Sequence, residues 1–243
     1  MYTYEDYKKL EKGLKKYYHV ETIHIKPKSQ GNNAVFILRK NSTSRQAFIL
    51  KAGNKQMIIE DLKHKDILRK IPSRYQKYFV QTLNIPFESS LFPNFYFFQM
   101  EYIKGTSLYS LLKKNELNQY QIEMIQDQLK RTLLTLWKIG YIHNDLHLSN
   151  IMVINEKTPQ VQIKIIDFGH AVKVDPMDPH EQHPKKWYKK MLKKYNISTS
   201  NPNYWILGKS PAHMYAKHHK QLLKDKKFYK PSSFWKKMWK KIM

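Results

Sequence analysis

Cysteine is absent from the 243 residues, which excludes disulfides, thiolate metal sites and cysteine nucleophiles. Glycine is scarce, at 7, and the 11 prolines follow no period, so collagen-like and linker-type compositions are excluded. No run approaches the roughly 20 apolar residues that a bilayer span requires. The opening Met1-Tyr2-Thr3-Tyr4-Glu5-Asp6 lacks the apolar stretch of a signal peptide. A soluble, cytoplasmic protein without a membrane span is the expectation. Acid is the other shortage: 19 Asp+Glu face 44 Lys+Arg, a net charge of +25. Apolar material is plentiful, at 41% hydrophobic and 14% aromatic residues. That is too much for a wholly disordered chain and enough for the core of one medium domain or two tightly packed lobes.

The charge is unevenly placed. Residues 181–243 hold 17 Lys and only two acids, Glu181 and Asp225, so 17 − 2 = +15 lies there and +10 in the first 180 residues. The same stretch carries eleven aromatics, including Trp187, Trp205, Trp235 and Trp239. Lysine interleaved with aromatics suits a nucleic acid or another polyanion, where phosphate attraction and stacking add. A packed subdomain with tryptophan inside and solvated lysine outside has the same composition.

Patterning divides the chain in two. Val20–Ile25, Ala34–Lys40 and Gln46–Lys51 read as strands, the last two joined into a hairpin by the turn residues Asn41-Ser42-Thr43-Ser44. Gln56–Ile71 has helical apolar spacing and stops before Pro72. Phe79–Ile85 and Phe95–Ile103 read as two further strands, with Pro86 and Pro93 between them as breakers. After Gly105 the period changes. Ser107–Lys114 predicts a short helix, and Asn118–Ile139 a long one with Ile122, Ile125, Leu129, Leu133, Leu136 and Trp137 on one stripe, ending at Gly140. Two short strands follow, Ile151–Ile154 and Val161–Ile166, then helices near Glu181–Tyr195 and Ala212–Asp225. Strands first and helices second predict an α+β chain of two lobes meeting near residue 102.

The densest chemical signal is His143-Asn144-Asp145-Leu146-His147-Leu148-Ser149-Asn150, followed after the next strand by Ile165-Ile166-Asp167-Phe168-Gly169. Two carboxylates and an amide at loop or strand ends form a hard-oxygen set suited to Mg²⁺ rather than zinc. His143 and His147 lie four apart, but in a loop and without a third nitrogen or sulfur ligand nearby, which argues against zinc. Asp145 can accept a proton from a hydroxyl, and Asn150 and Asp167 can hold a metal bridging anionic oxygens. Phosphoryl transfer uses such groups, because positioning and charge neutralisation supply nearly all of its catalysis.

These two motifs resemble the catalytic loop H-R-D-L-x-x-x-N and the D-F-G of the protein kinase superfamily. They occur in the right order and separation, and further parts lie upstream. Phe48-Ile49-Leu50-Lys51 resembles V-A-I-K, which implies that Lys51 binds the α/β-phosphates of ATP. Glu60, with Asp61 beside it, is the candidate for its ion-pair partner. Met100-Glu101-Tyr102-Ile103 is similar to a kinase hinge, implying Met100 as gatekeeper and backbone groups of Glu101 and Ile103 as adenine partners. The resemblance implies a bilobal protein kinase-like fold, α+β, with a small antiparallel β-sheet N-lobe at 1–102 and a reduced helical C-lobe with a basic aromatic tail at 103–243. It implies Mg-ATP bound between the lobes, Asn150 and Asp167 as metal ligands, and Asp145 as the group that orients and deprotonates the acceptor.

The departures from the family pattern are specific. On the best alignment Ser29, Gly31 and Ala34 take the three places of the glycine-rich loop and Phe36 that of its valine. Only Gly31 tolerates positive φ freely, so a looser phosphate cover is expected. Ile49 stands where the family prefers alanine, which crowds the adenine site. Asn144 replaces the arginine of H-R-D, so a phosphorylated activation loop has no cation there to dock against. His147 replaces the lysine that serine kinases place two residues after the aspartate; a D-L-H-x-x-N form is more usual in small-molecule phosphotransferases and small atypical protein kinases. No A-P-E follows Gly169, and only 74 residues remain.

Three functions remain open on the sequence. The first is a compact serine/threonine protein kinase whose basic tail recruits an acidic or nucleic-acid-bound protein. The second is a small-molecule kinase of aminoglycoside or choline type, supported by His147 and disfavoured by the shortness of the C-lobe. The third is a pseudokinase or nucleic-acid-binding scaffold, supported by the degenerate glycine loop.

Overall fold

A computed structural model describes residues 3–25, 33–83, 87–90 and 92–197. Gly31, the helix expected at 212–225 and most of the basic tail lie outside the described residues. The chain divides into two compact units, Met1–Arg69 with Val80–Ile103 and Lys70–Phe79 with Lys104–Met243. This differs from a single division after residue 102, because the segment 70–79 belongs with the second unit. There the Ile165 N–H donates to the Tyr78 carbonyl at 2.8 Å, the Gln162 side chain donates to the Lys77 carbonyl, and Phe79 packs on Phe168.

The first unit opens with a helix that strand patterning overlooks, α1 (Tyr4–Leu14). Thr3 and Asp6 form a reciprocal capping box at its start, satisfying two of the orphaned N–H groups of the first turn. Tyr7, Leu10 and Leu14, spaced by three and four, face inward. They cover a five-stranded antiparallel sheet in the order β1-β2-β3-β5-β4, made of β1 (His19–Ile25), β2 (Asn33–Arg39), β3 (Ala47–Gly53), β4 (Phe87–Ser89) and β5 (Phe92–Glu101). Alternation decides the two sheet faces. Ala34, Phe36 and Leu38, Leu50 and Ala52, and Phe95 and Phe97 share the α1 core. Val35, Ile37, Lys51, Phe98 and Met100 therefore lie on the other face.

Two expectations are corrected here. Of the strand expected at Phe79–Ile85, the described residues 79–83 form only isolated bridges, Phe79 to Ile165 and Thr82 to Met100; residues 84 and 85 lie outside the described residues. Pro93 sits inside β5, beyond the stretch paired with β3, which begins at Tyr96; a residue lacking an N–H is tolerated where that side of the ladder is unpaired. The helix expected at 56–71 is α2 (Lys55–Lys70), with Ile67 and Leu68 buried.

The second unit contains α3 (Ser73–Gln76), β6 (Thr106–Ser107), α4 (Leu108–Lys114), α5 (Gln119–Lys138), β7 (Tyr141–Ile142), β8 (Ile151–Ile154), β9 (Gln162–Ile165), β10 (Val172–Lys173) and α6 (Pro184–Lys194). Asn118 and Gln121 box the N-terminus of α5, and Gly140 ends it at φ 80°, a conformation that favours glycine. The buried stripe of α5 is Ile125, Leu129, Leu133, Leu136 and Trp137; the expected Ile122 is only half-buried. Two glutamines tie α5 to the β8–β9 hairpin. Gln121 donates to the carbonyls of Glu156 and Thr158, at 2.8 and 2.9 Å. Gln128 donates to Val161 and accepts from the Ile163 N–H. No helix among the described residues is long and apolar enough to cross a membrane.

Candidate active site

The loop from β7 to β8 is organised around one buried imidazole. His143 is completely buried. Its Nδ1 accepts the Asp145 backbone N–H at 3.3 Å, so the proton lies on Nε2, which donates to the Ile166 carbonyl at 3.0 Å. Burial drives its pKa down to about 4, and the ring is neutral at pH 7, as this pair of bonds requires. The Ile166 N–H in turn donates to the Asn150 carbonyl at 3.0 Å. Both backbone groups of Ile166 are thus anchored to the loop, which places Asp167, the next residue, relative to Asp145 and Asn150.

Asp145 and Asn150 are brought together directly. The Asn150 Nδ2 donates to the Asp145 carbonyl at 2.9 Å and reaches the Asp145 carboxylate at 3.5 Å. A 3-10 turn over Leu148–Asn150 allows this, with the His147 N–H closing on the Asp145 carbonyl. His147 keeps its Nε2 3.9 Å from the Asp145 carboxylate. Asn144 and Asp167 both have left-handed backbones, φ 60° and 65°. Asparagine is among the non-glycine residues best suited to that region, and arginine is not. Asp167 holds a sparsely populated conformation where chemistry is expected.

Phe168 is fully buried and packs on His143 at 4.6 Å and Phe79 at 5.7 Å between ring centroids. The chain beyond it is tied down. The Ala171 N–H bonds the Phe168 carbonyl, β10 pairs with β7, and Val174 and Met177 donate to Gly140 and Trp137. Asp175 then accepts from both Lys194 and Tyr195 at the end of α6. No serine, threonine or tyrosine occurs from Phe168 to Trp187.

In the first unit, Lys51 pairs with Val35 on one side and Phe98 on the other, so the three side chains share the sheet face opposite α1. Ile49 lies across from Met100 on that same face. The Glu101 N–H is taken by the Gln81 carbonyl at 3.0 Å, and the Glu101 carboxylate accepts the Gln81 N–H at 2.7 Å. A base bonded at Glu101 must therefore use its carbonyl. Ile103 follows just beyond the end of β5. Glu60 lies on α2, its side chain outside the described part.

A family model described as the protein kinase domain matches residues 28–230, most of the chain. The chain belongs to the protein kinase family. It is 34% identical over 83 residues to serine/threonine-protein kinase pkn3 of Myxococcus xanthus, covering 34% of this chain and 15% of that protein. It is 34% identical over 68 residues to homeodomain-interacting protein kinase 2 of Mus musculus, covering 27% of this chain and 6% of that one. For serine/threonine-protein kinase KIC1 of Saccharomyces cerevisiae the match is 33% over 76 residues, 31% of this chain and 7% of the relative. The chain thus spans well under a fifth of these relatives' length.

Within a kinase domain the sheet register corrects one alignment. The valine of the glycine-rich loop must share the face of the β3 lysine. Phe36 and Ala34 point instead into the α1 core, while Val35 is directly paired with Lys51. A one-residue slip exchanges the two faces, so Phe36 does not share the face of Lys51, whereas Val35 and Ile37 do. The spacing from Lys51 through a cross-strand pair carries this signal, but only once the hairpin register is known. For a metal, the second unit offers Asn150, an amide oxygen donor, and Asp167, a carboxylate. Among the described residues no group of three His, Cys, Asp or Glu is assembled. Two hard oxygens fit Mg²⁺, which completes its shell with phosphate and water, and do not fit a zinc cage.

Proposed function

We propose that this chain transfers the γ-phosphate of Mg-ATP to serine or threonine hydroxyls of a protein. The observation that carries the proposal is the neutral His143, whose two ring nitrogens hold Asp145 and Ile166 and so pre-set the acidic groups before substrate arrives. Such preorganisation is the main resource of phosphoryl transfer. In this reading the Asp145 carboxylate orients the acceptor hydroxyl and takes its proton as the new oxygen–phosphorus bond forms and the bond to the departing ADP breaks. The Asn150 amide, held against the Asp145 carbonyl, and the Asp167 carboxylate are the metal's ligands; when bound, Mg²⁺ neutralises the charge on the phosphate oxygens. Lys51 neutralises the α/β-phosphates, with Glu60 as its ion-pair partner. The Glu101 carbonyl and the Ile103 N–H bond the adenine, and Gly31 lies in the phosphate-covering loop.

The test is pure protein with labelled Mg-ATP and a panel of proteins, serine/threonine peptides, an aminoglycoside and choline, with Asp145→Ala alongside. Label on protein serine or threonine is expected. The variant should lose about 10³-fold of the rate while still binding Mg-ATP. Label on the small molecules alone makes it a small-molecule kinase. No transfer by the parent leaves a pseudokinase or scaffold.

A further inference from the structure

Helix α6 has two unlike faces. Its inner face is apolar: Trp187, Tyr188, Met191 and Leu192 are buried, and Trp187 and Tyr188 pack on Trp137 of α5 at 5.5 and 4.7 Å. Its outer face is lysine alone. Lys185, Lys186, Lys189, Lys190, Lys193 and Lys194 are all exposed, and the helix contains no acid. Four pairs of these lysines stand four residues apart, an arrangement that weakens a helix. Lys185 and Lys186 also sit in the first turn, where the helix dipole disfavours cations. Lys194 is paired with Asp175. Lys185, Lys186 and Lys193 form no ion pair among the described residues, and Lys190 acts on Asp175 only through its charge.

This face costs helix stability, and the buried aromatics offset that cost. An anionic partner would relieve the repulsion. With 19 acids against 44 bases in the whole chain, a second copy is repelled. A membrane surface would need apolar side chains at the rim, and those of α6 face inward. The exposed face of α6 has no aromatic to stack a base and no arginine for bidentate contact, so a nucleic acid would be held there by phosphate charge alone. What remains is recognition by charge density.

We propose that the lysine face of α6 docks an acidic segment, rich in Asp and Glu, of the protein that is phosphorylated. The site of transfer and the docking face are then separate, and the docking claim rests on the protein-acceptor reading above only for the identity of the partner.

The test measures binding of a fluorescent Glu/Asp-rich peptide to the full chain without ATP, by anisotropy. A K185Q/K186Q/K190Q/K193Q variant should weaken binding about tenfold or more, and a K236Q/K237Q/K240Q/K241Q variant less than about threefold. A K185R/K186R/K190R/K193R variant keeps the charge and should bind like the parent, and a parent-like melting temperature of the glutamine set shows that its loss of binding is not a loss of fold. Equal losses in both glutamine variants, no loss in the first, or tighter binding of a duplex oligonucleotide at the same salt would each overturn the proposal. Transfer to a neutral serine peptide is measured separately. If the parent fails there, the protein-kinase reading fails while the peptide-binding result stands on its own.

Discussion

His143 is the residue on which the geometry of the loop turns, and its burial makes a pH-dependent stability unavoidable. In the fold its pKa is about 4, whereas an exposed histidine titrates near 6.5. The unfolded chain therefore binds the proton first. The stabilisation is fully present above about pH 6.5, declines as pH falls, and is gone once pH passes below about 4, a total on the order of 3 kcal/mol. Denaturant unfolding between pH 7.5 and 4 should show this decline, and His143→Gln should flatten its part of the curve. An unchanged slope in the variant would refute the assignment. The neighbouring pair was legible in the residue types: Asp145 and Asn150 five apart, with Asp167 after a strand. Which atoms they present was not, because the 3-10 turn at Leu148–Asn150 is a short-range fit that patterning does not resolve.

Elements with strong internal signals were recognised and those anchored from outside were not. The capping residue and stripe of α5 were plain in the sequence, as was the β2–β3 hairpin. The segment 79–85 has the composition of a strand, yet its described residues 79–83 form only two isolated bridges. Helix α1 carries a capping box and a three-four apolar spacing, signals that were present but outweighed by the strand-like residues around it. Close approach is a property of the packed element as well. A methyl group on Gly105 would fall inside contact distance of the Val153 backbone carbonyl, and backbone cannot step aside as a flexible side chain can. Gly105→Ala is expected to cost about 2 kcal/mol or more, seen as a lowered melting temperature, with β6 and its pairing to β8 as the part disturbed. A melting temperature equal to the parent's would show that the β6–β8 connection gives way at no cost.

At the scale of the molecule, ligand linkage tests the nucleotide reading without an acceptor. Saturating Mg-ATP at a hundred times its Kd should stabilise the fold by about 2.7 kcal/mol, measured as a rise in melting temperature. Chelation of the metal should remove most of that rise, and Lys51→Ala should diminish it. A rise that survives both changes would point to nucleotide bound elsewhere. The basic surplus acts at this scale too. Its described portion, α6, resolves the composition into two roles, with the aromatics Trp187 and Tyr188 as core and the lysines as surface. For α6 the packed-subdomain reading of the sequence holds, with tryptophan inside and lysine outside.

Order and spacing along the chain were enough to determine the family, the strand-to-helix division and the residue types of the candidate site. These are local quantities: motif letters, apolar period and caps. The tertiary structure alone decided three things. It decided that the segment 70–79 sides with the second unit, that Val35 rather than Phe36 shares the face of Lys51, and that His143 is neutral. Each depends on what lies opposite a residue across a sheet or a core. Sheet register and burial are set by partners distant in sequence, and no window of the sequence contains them.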